Sequence, residues 1–252
     1  MYPILFQYKF IKIGGYGVML GLAFYLAFML LERELKIRGK DDELAYTMLL
    51  LIIPTAIIGS KVFHILENLD LFFRDPAEMI FSGAGLSVYG GFVFAIIASG
   101  IYLKKKGENF LEIADAAAPP MALGYGIGRI GCHVAGDGCY GIMTSSFLGV
   151  AYPNGIVPST ATVLPTPLFE SFFSLMVLLF LLQFRKREMP AGRIFFLYLI
   201  LNGIPRFFVE FVRLNPKIMF DLTQAQMVSM LFVITGIIGM VKTGRPSQKG
   251  SG

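Results

Sequence analysis

Along the chain, apolar runs close to twenty residues alternate with short polar breaks. The first runs from about Gly14 to Leu31, and others follow at about Leu44–Leu66, Gly85–Leu103 and Phe110–Val134. The last three lie at about Leu168–Phe184, Ile194–Val212 and Leu222–Val241. Each is long enough to cross a ~30 Å hydrocarbon core as an α-helix. A helix also satisfies its own backbone hydrogen bonds, as a membrane interior requires. The pattern therefore predicts an all-α, polytopic membrane protein with about seven transmembrane helices. The first run exceeds a signal-peptide core, and no small-residue cleavage site precedes the charged stretch Glu32–Glu43, so it reads as a retained helix.

Composition agrees with the pattern. The chain is 55% hydrophobic and only 15% charged, where a water-soluble domain would carry about 25% charge. No long polar block interrupts it, so residues 1–252 read as one transmembrane domain. A net charge of +5 raises the question of nucleic acid. The basic residues, however, sit in short clusters between apolar runs, the habit of membrane loops, so no nucleic-acid partner is expected.

Fourteen of the 22 basic residues fall on one side, in clusters around Arg33–Lys40, Lys104–Lys106, Arg185–Arg193 and Lys242–Lys249. Six fall on the other: Lys9, Lys12, Arg74, Arg206, Arg213 and Lys217. By the positive-inside bias the N-terminus faces out and the C-terminus in. Two outward stretches exceed simple turns. Residues 67–85 mix aromatics and charges, as an interfacial segment would. Residues 137–166, rich in Gly, Pro, Ser and Thr, read as an irregular outer loop of functional weight. Cys132 and Cys139 lack CxxC or Cys/His metal spacing, so neither a metal site nor a disulfide is expected.

Several charges stand where a membrane penalises them. An arginine at helix centre costs at least ~2.5 kcal/mol on insertion scales, so it needs a partner or a task. Arg129 lies deep in GYGIGRIGCHVAGDG, whose glycines let backbone approach a ligand closely. Arg206, Glu210 and Arg213 lie in LNGIPRFFVEFVR, and their spacings of four and three place them on one helical face. Glu210 reads as an ion-pair partner of both arginines. One carboxylate cannot saturate three guanidinium groups, and Arg129 has only Asp137 near it in sequence. The surplus calls for an anion, and guanidinium forks suit phosphate oxygens. Composition and spacing alone lead to an anionic lipid.

At these residues the chain resembles the prolipoprotein diacylglyceryl transferase family. Tyr16 in GGYGVML is similar to the tyrosine-glycine motif of the family's first helix, and GLSVYGG, Gly85–Gly91, resembles its third-helix motif. GRIG, Gly128–Gly131, followed by a Gly-Asp pair, looks like the family signature. PTPLFE, Pro165–Glu170, resembles the opening of the fifth helix, and RFFVEFVR, Arg206–Arg213, the arginine-rich end of the sixth. The chain departs from the pattern at Tyr89 and Leu164, where histidine is usual. It departs again at Cys132, where asparagine is usual, and at Asp137, which fills a glutamate position.

The resemblance implies a bacterial inner-membrane enzyme with its active site toward the outer face. It would move the diacylglyceryl group of phosphatidylglycerol to the lipobox cysteine of prolipoprotein signal peptides, with no cofactor and no metal. Arg129, Arg206 and Tyr89 would be catalytic. Tyr16, Gly90, Gly91, Asp137, Glu210 and Arg213 would bind substrate. His133 is a secondary candidate for the base, and His64 reads as a plain helix residue beside a polar neighbour. A paralogue that only holds anionic phospholipid, as transporter or scaffold, is the alternative. A retinal protein would need a lysine between Leu222 and Val241, and a rhomboid-like protease a GxSG serine; neither occurs.

Overall fold

The structure is a computed structural model that describes residues 2–8, 11–81, 87–187 and 189–244. Gly85 and Leu86 of the third-helix motif, the end of the 67–85 segment, and the basic residues Lys9, Arg245 and Lys249 lie outside them. A short hairpin, β1 (Ile4–Tyr8) and β2 (Ile11–Gly14), leads into α1 (Gly15–Ile37). Then come α2 (Asp42–Glu67), α3 (Leu69–Arg74), α4 (Pro76–Phe81), α5 (Val88–Lys106) and α6 (Phe110–Ala135). A second hairpin, β3 (Val150–Tyr152) and β4 (Ser159–Val163), precedes α7 (Thr166–Phe184) and α8 (Arg193–Val209). The strands β5 (Lys217–Met219) and β6 (Leu222–Thr223) then lead into α9 (Gln224–Gly244).

The helix ends follow local chemistry. Asp41 caps α2 by accepting from Glu43 N at 3.1 Å. Gly107 stops α5 in the left-handed conformation, φ 74°. Pro167 sits in the first turn of α7, where its missing N–H is no loss. The start of α8 is capped from a distance: Asp115 of α6 accepts from Gly192 N and Phe195 N, both at 2.7 Å.

Among the described residues, five helices are long and apolar enough to cross a membrane: α1, α2, α7, α8 with its following turn, and α9. Their most apolar stretches are only 6–39% buried, which leaves broad apolar faces for lipid. The runs read as the third and fourth spans form α5 and α6 but are less apolar. The first ends in Lys104–Lys106, and the second carries Pro119, Pro120 and Arg129. The outer stretch 137–166 is more regular than its composition suggests, because the β-branched run STATV of β4 pairs with β3. The 67–85 segment contains the short helices α3 and α4.

The chain forms two compact units, one of residues 1–34 and 114–252, the other of residues 35–113. In the first, Ala118 and Ala122 of α6 pack with Val177, Leu178 and Leu181 of α7 and Tyr198 and Leu199 of α8. Ser174 donates to Ala122 O at 2.7 Å and ties α7 to α6. In the second, α2 and α5 touch through Gly59 and Gly90, flanked by Phe63 and Phe94 edge to face at 6.5 Å. A side-chain carbon on Gly91 would meet Ser60 Oγ at 2.6 Å. His64 lies 3.4 Å from Asn68 Nδ2, the plain helical role expected of it.

A side-chain carbon at Gly59 would stand 2.5 Å from Gly90 O. Gly59→Val is therefore expected to cost about 1–3 kcal/mol of stability by overpacking. Thermal denaturation in detergent checks this against Gly100→Ala, where an added carbon meets nothing within 4 Å.

Candidate active site

In the first unit one buried carboxylate, Glu170, draws together three arginines. Glu170 lies one turn into α7 with its side chain 2% exposed. Arg129 of α6 reaches its Oε2 through Nε at 3.3 Å. Arg206 of α8 pairs with its Oε1, and Arg213 stands 3.7 Å from Oε2. Glu210, fully buried in the 3-10 turn after α8, pairs with Arg206 at 3.3 Å and Arg213 at 3.8 Å. Tyr125 donates to Glu170 Oε1 at 3.0 Å, and its ring lies 4.9 Å from the Arg129 guanidinium. Asn215 Nδ2 donates to Glu210 Oε1.

Three guanidinium groups thus share two carboxylates, and one positive charge is left over. Hydrogen-bonding capacity is more lopsided. A guanidinium offers five N–H donors and a carboxylate about four acceptor sites, so about fifteen donors face about eight acceptors. Tyr125 and Asn215 already occupy two of those acceptors. Nε and Nη1 of Arg213 are buried without a hydrogen-bond acceptor. Oε2 of Glu170 and Oε2 of Glu210 are likewise buried without a hydrogen-bond donor, so the surplus in the cluster is one of positive charge.

Arg213 is fixed by the outer loop. Its backbone bridges Gly141, and Ile142 N donates to Val212 O at 2.8 Å. The loop is anchored in turn by Tyr140, Tyr152 and Val163, which form a small buried cluster. His133 Nδ1 lies 2.9 Å from Tyr152 Oη, so His133 serves loop packing. Burial pushes the Tyr152 hydroxyl up to about 12.

The expected site residues divide into three sets. Arg129, Arg206, Glu210 and Arg213 come together as described. Tyr16 and Asp137 lie at the Gly-rich end of α6: a carbon on Gly131 would stand 3.4 Å from the Tyr16 ring, and Asp137 Oδ1 accepts from Cys139 N at 3.1 Å. Arg129 takes its carboxylate from α7, and among the described residues Asp137 forms no salt bridge with it. Tyr89, Gly90 and Gly91 belong to the second unit, where the two glycines allow close helix packing. Glu170 was not among the expected site residues; its signal in sequence is a lone carboxylate inside an apolar helix.

Beside Arg206, a cleft lined by Tyr125, Glu170, Ser174 and Asn202 holds only about 10 Å³, barely the space of one water. A phosphate at Arg206 would therefore require side-chain movement. Along the next turns, Ile204, Phe207 and Phe208 of α8 and Met230, Val233 and Ile234 of α9 line an apolar groove of about 290 Å³.

Removing Glu170 would leave three cations with one carboxylate. Glu170→Ala is expected to cost on the order of 3–5 kcal/mol, as breaking a buried ion pair does. Glu170→Ala, Arg213→Met together should recover part of that loss, and denaturation midpoints of the two variants give the comparison.

Comparison with known proteins gives the family. The prolipoprotein diacylglyceryl transferase family profile matches residues 3–242. A phosphatidylglycerol–prolipoprotein diacylglyceryl transferase of Clostridium tetani is 34% identical over 239 residues, 94% of this chain and 96% of its own length. A second enzyme of that name, from Clostridium perfringens, is 33% identical and covers 90% of each chain. One from Leptospira interrogans is 34% identical over 86% of this chain and 77% of its own. The chain thus belongs to the prolipoprotein diacylglyceryl transferase family, and it is a diacylglyceryl transferase of the membrane.

Proposed function

We propose that this enzyme transfers the diacylglyceryl group of phosphatidylglycerol to the thiol of a lipobox cysteine in a prolipoprotein signal peptide, releasing glycerol phosphate. The observation that carries this reading is the surplus guanidinium charge around Glu170. The lipid phosphate takes N–H donors of Arg129 and Arg206 that the carboxylates leave free. The groove between α8 and α9 suits an acyl chain on the lipid side of Arg206.

The thiolate sulfur attacks the glyceryl carbon that bears the phosphate ester. A C–S bond forms, the C–O bond breaks, and its electron pair leaves with glycerol phosphate. Negative charge grows on the leaving phosphate, so fixed guanidinium groups stabilise the transition state more than the ground state. An ordinary cysteine, pKa ~8.5, gives up roughly 2 kcal/mol to ionise at pH 7. A cationic cluster lowers that cost. Glu210 and Arg213 hold the cluster in shape, while Tyr16 and Asp137 face the substrate from the Gly-rich end of α6. Roles for Tyr89, Gly90 and Gly91 rest on the family resemblance.

In this reading α5 and α6 complete seven spans, the chain works as one membrane domain, and its N-terminus lies outside the inner membrane with the site toward the outer face. The loop 137–166 then meets the incoming signal peptide. The alternative, in which the protein holds anionic phospholipid without turnover, rests only on Tyr89 and Leu164, where the resemblance implies histidine.

Arg129→Ala or Arg206→Ala is expected to lower the rate about 10²–10³-fold while the protein still inserts and folds. Labelled phosphatidylglycerol with a lipobox peptide reports this as thioether product. Normal activity in either variant contradicts the mechanism, and lipid retention without product from the unaltered protein selects the alternative. Tyr89→Phe separately tests the second unit's part.

A further inference from the structure

The turn that follows α6 brings together three side chains that the transfer reaction does not require as a set. Cys132 Sγ, Cys139 Sγ and a carboxylate oxygen of Asp137 all lie within 4.8 Å of one another. Both thiols are free. Their spacing in sequence matches no familiar metal motif.

The turn holds these atoms in place. Gly136 and Gly138 adopt φ of 62° and 88°, the left-handed region where a side chain would be strained. That reversal carries Cys139 back toward the last turn of α6. Gly136 N donates to Cys132 O at 2.9 Å, Cys139 N to Asp137 Oδ1 at 3.1 Å, and Thr166 Oγ1 to Cys139 O at 2.6 Å. Asp137 Oδ1 takes a hydrogen bond from the turn, which orients the carboxylate beside the two thiols.

We propose that Cys132, Asp137 and Cys139 form a site for a thiophilic divalent cation of the zinc class. Zn–S bonds of ~2.3 Å and Zn–O bonds of ~2.1 Å require tetrahedral ligand atoms about 3.5–3.8 Å apart. The observed cluster closes to that size by about 1 Å of side-chain movement. Three protein ligands leave a fourth position for water. Binding exchanges two thiol protons for the ion. The set then carries three negative charges and two positive, the same net charge as Asp137 beside two neutral thiols. The arginine cluster therefore meets no added charge, and the site shares only Asp137 with the proposed transfer. A disulfide would leave Asp137 without a role in the set.

The test uses purified full-length protein in detergent, reduced with a phosphine and titrated with Co²⁺ and Zn²⁺. The expected result is one ion per chain, with a thiolate-to-cobalt charge-transfer band that Zn²⁺ displaces. Cys132→Ser and Cys139→Ser should each weaken binding by ~100-fold or more. If Cys132→Ser fails to fold, the partly exposed Cys139→Ser carries the comparison. Reduced protein that takes up no ion, or a folded serine variant that binds as tightly as the parent, overturns the site.

Discussion

Two buried carboxylates must hold three part-buried guanidinium groups apart from one another, and the first unit is arranged around that constraint. Side chains this far from water keep their charge only when paired. Glu170 answers for α7, Arg129 for α6, and Arg206 with Glu210 and Arg213 for the end of α8. Each pair also ties one element to another, so the charge cluster and the helix packing are a single problem. At an effective dielectric near 20, unit charges 4 Å apart still interact by ~4 kcal/mol. A leftover cation there attracts any anion able to reach it.

Features around the cluster support it. The outer loop pins Arg213 by a backbone bridge, and its own tyrosines anchor the loop. Asp115 fixes the other end of α8 at its first exposed amides. The helix that carries Arg206 is thereby held at both ends. The tight space beside Arg206 places the needed movement in side chains.

Much of the fold was legible because a hydrocarbon core imposes length and hydropathy. The apolar runs became helices with ends a few residues away, as at Ile194–Val212 against Arg193–Val209. The arginines were legible for the same reason, since each is costly in its setting. Glu170 was harder to read, because its partners come from helices distant in sequence and no spacing rule connects them. The β3–β4 hairpin was hidden by a Gly- and Pro-rich composition that suggests irregular chain. The Cys132–Asp137–Cys139 cluster was hidden too, since it depends on left-handed glycines that sequence spacing does not describe.

Surplus guanidinium charge meeting a lipid phosphate is the central interaction proposed for this enzyme. Its most direct test is the equilibrium binding of phosphatidylglycerol, against uncharged diacylglycerol, to the protein in nanodiscs of neutral lipid. Binding should favour the phospholipid and fall about tenfold or more, some 1.4 kcal/mol, in Arg206→Gln. Equal affinity for the two lipids, or an unchanged preference in Arg206→Gln, would contradict it.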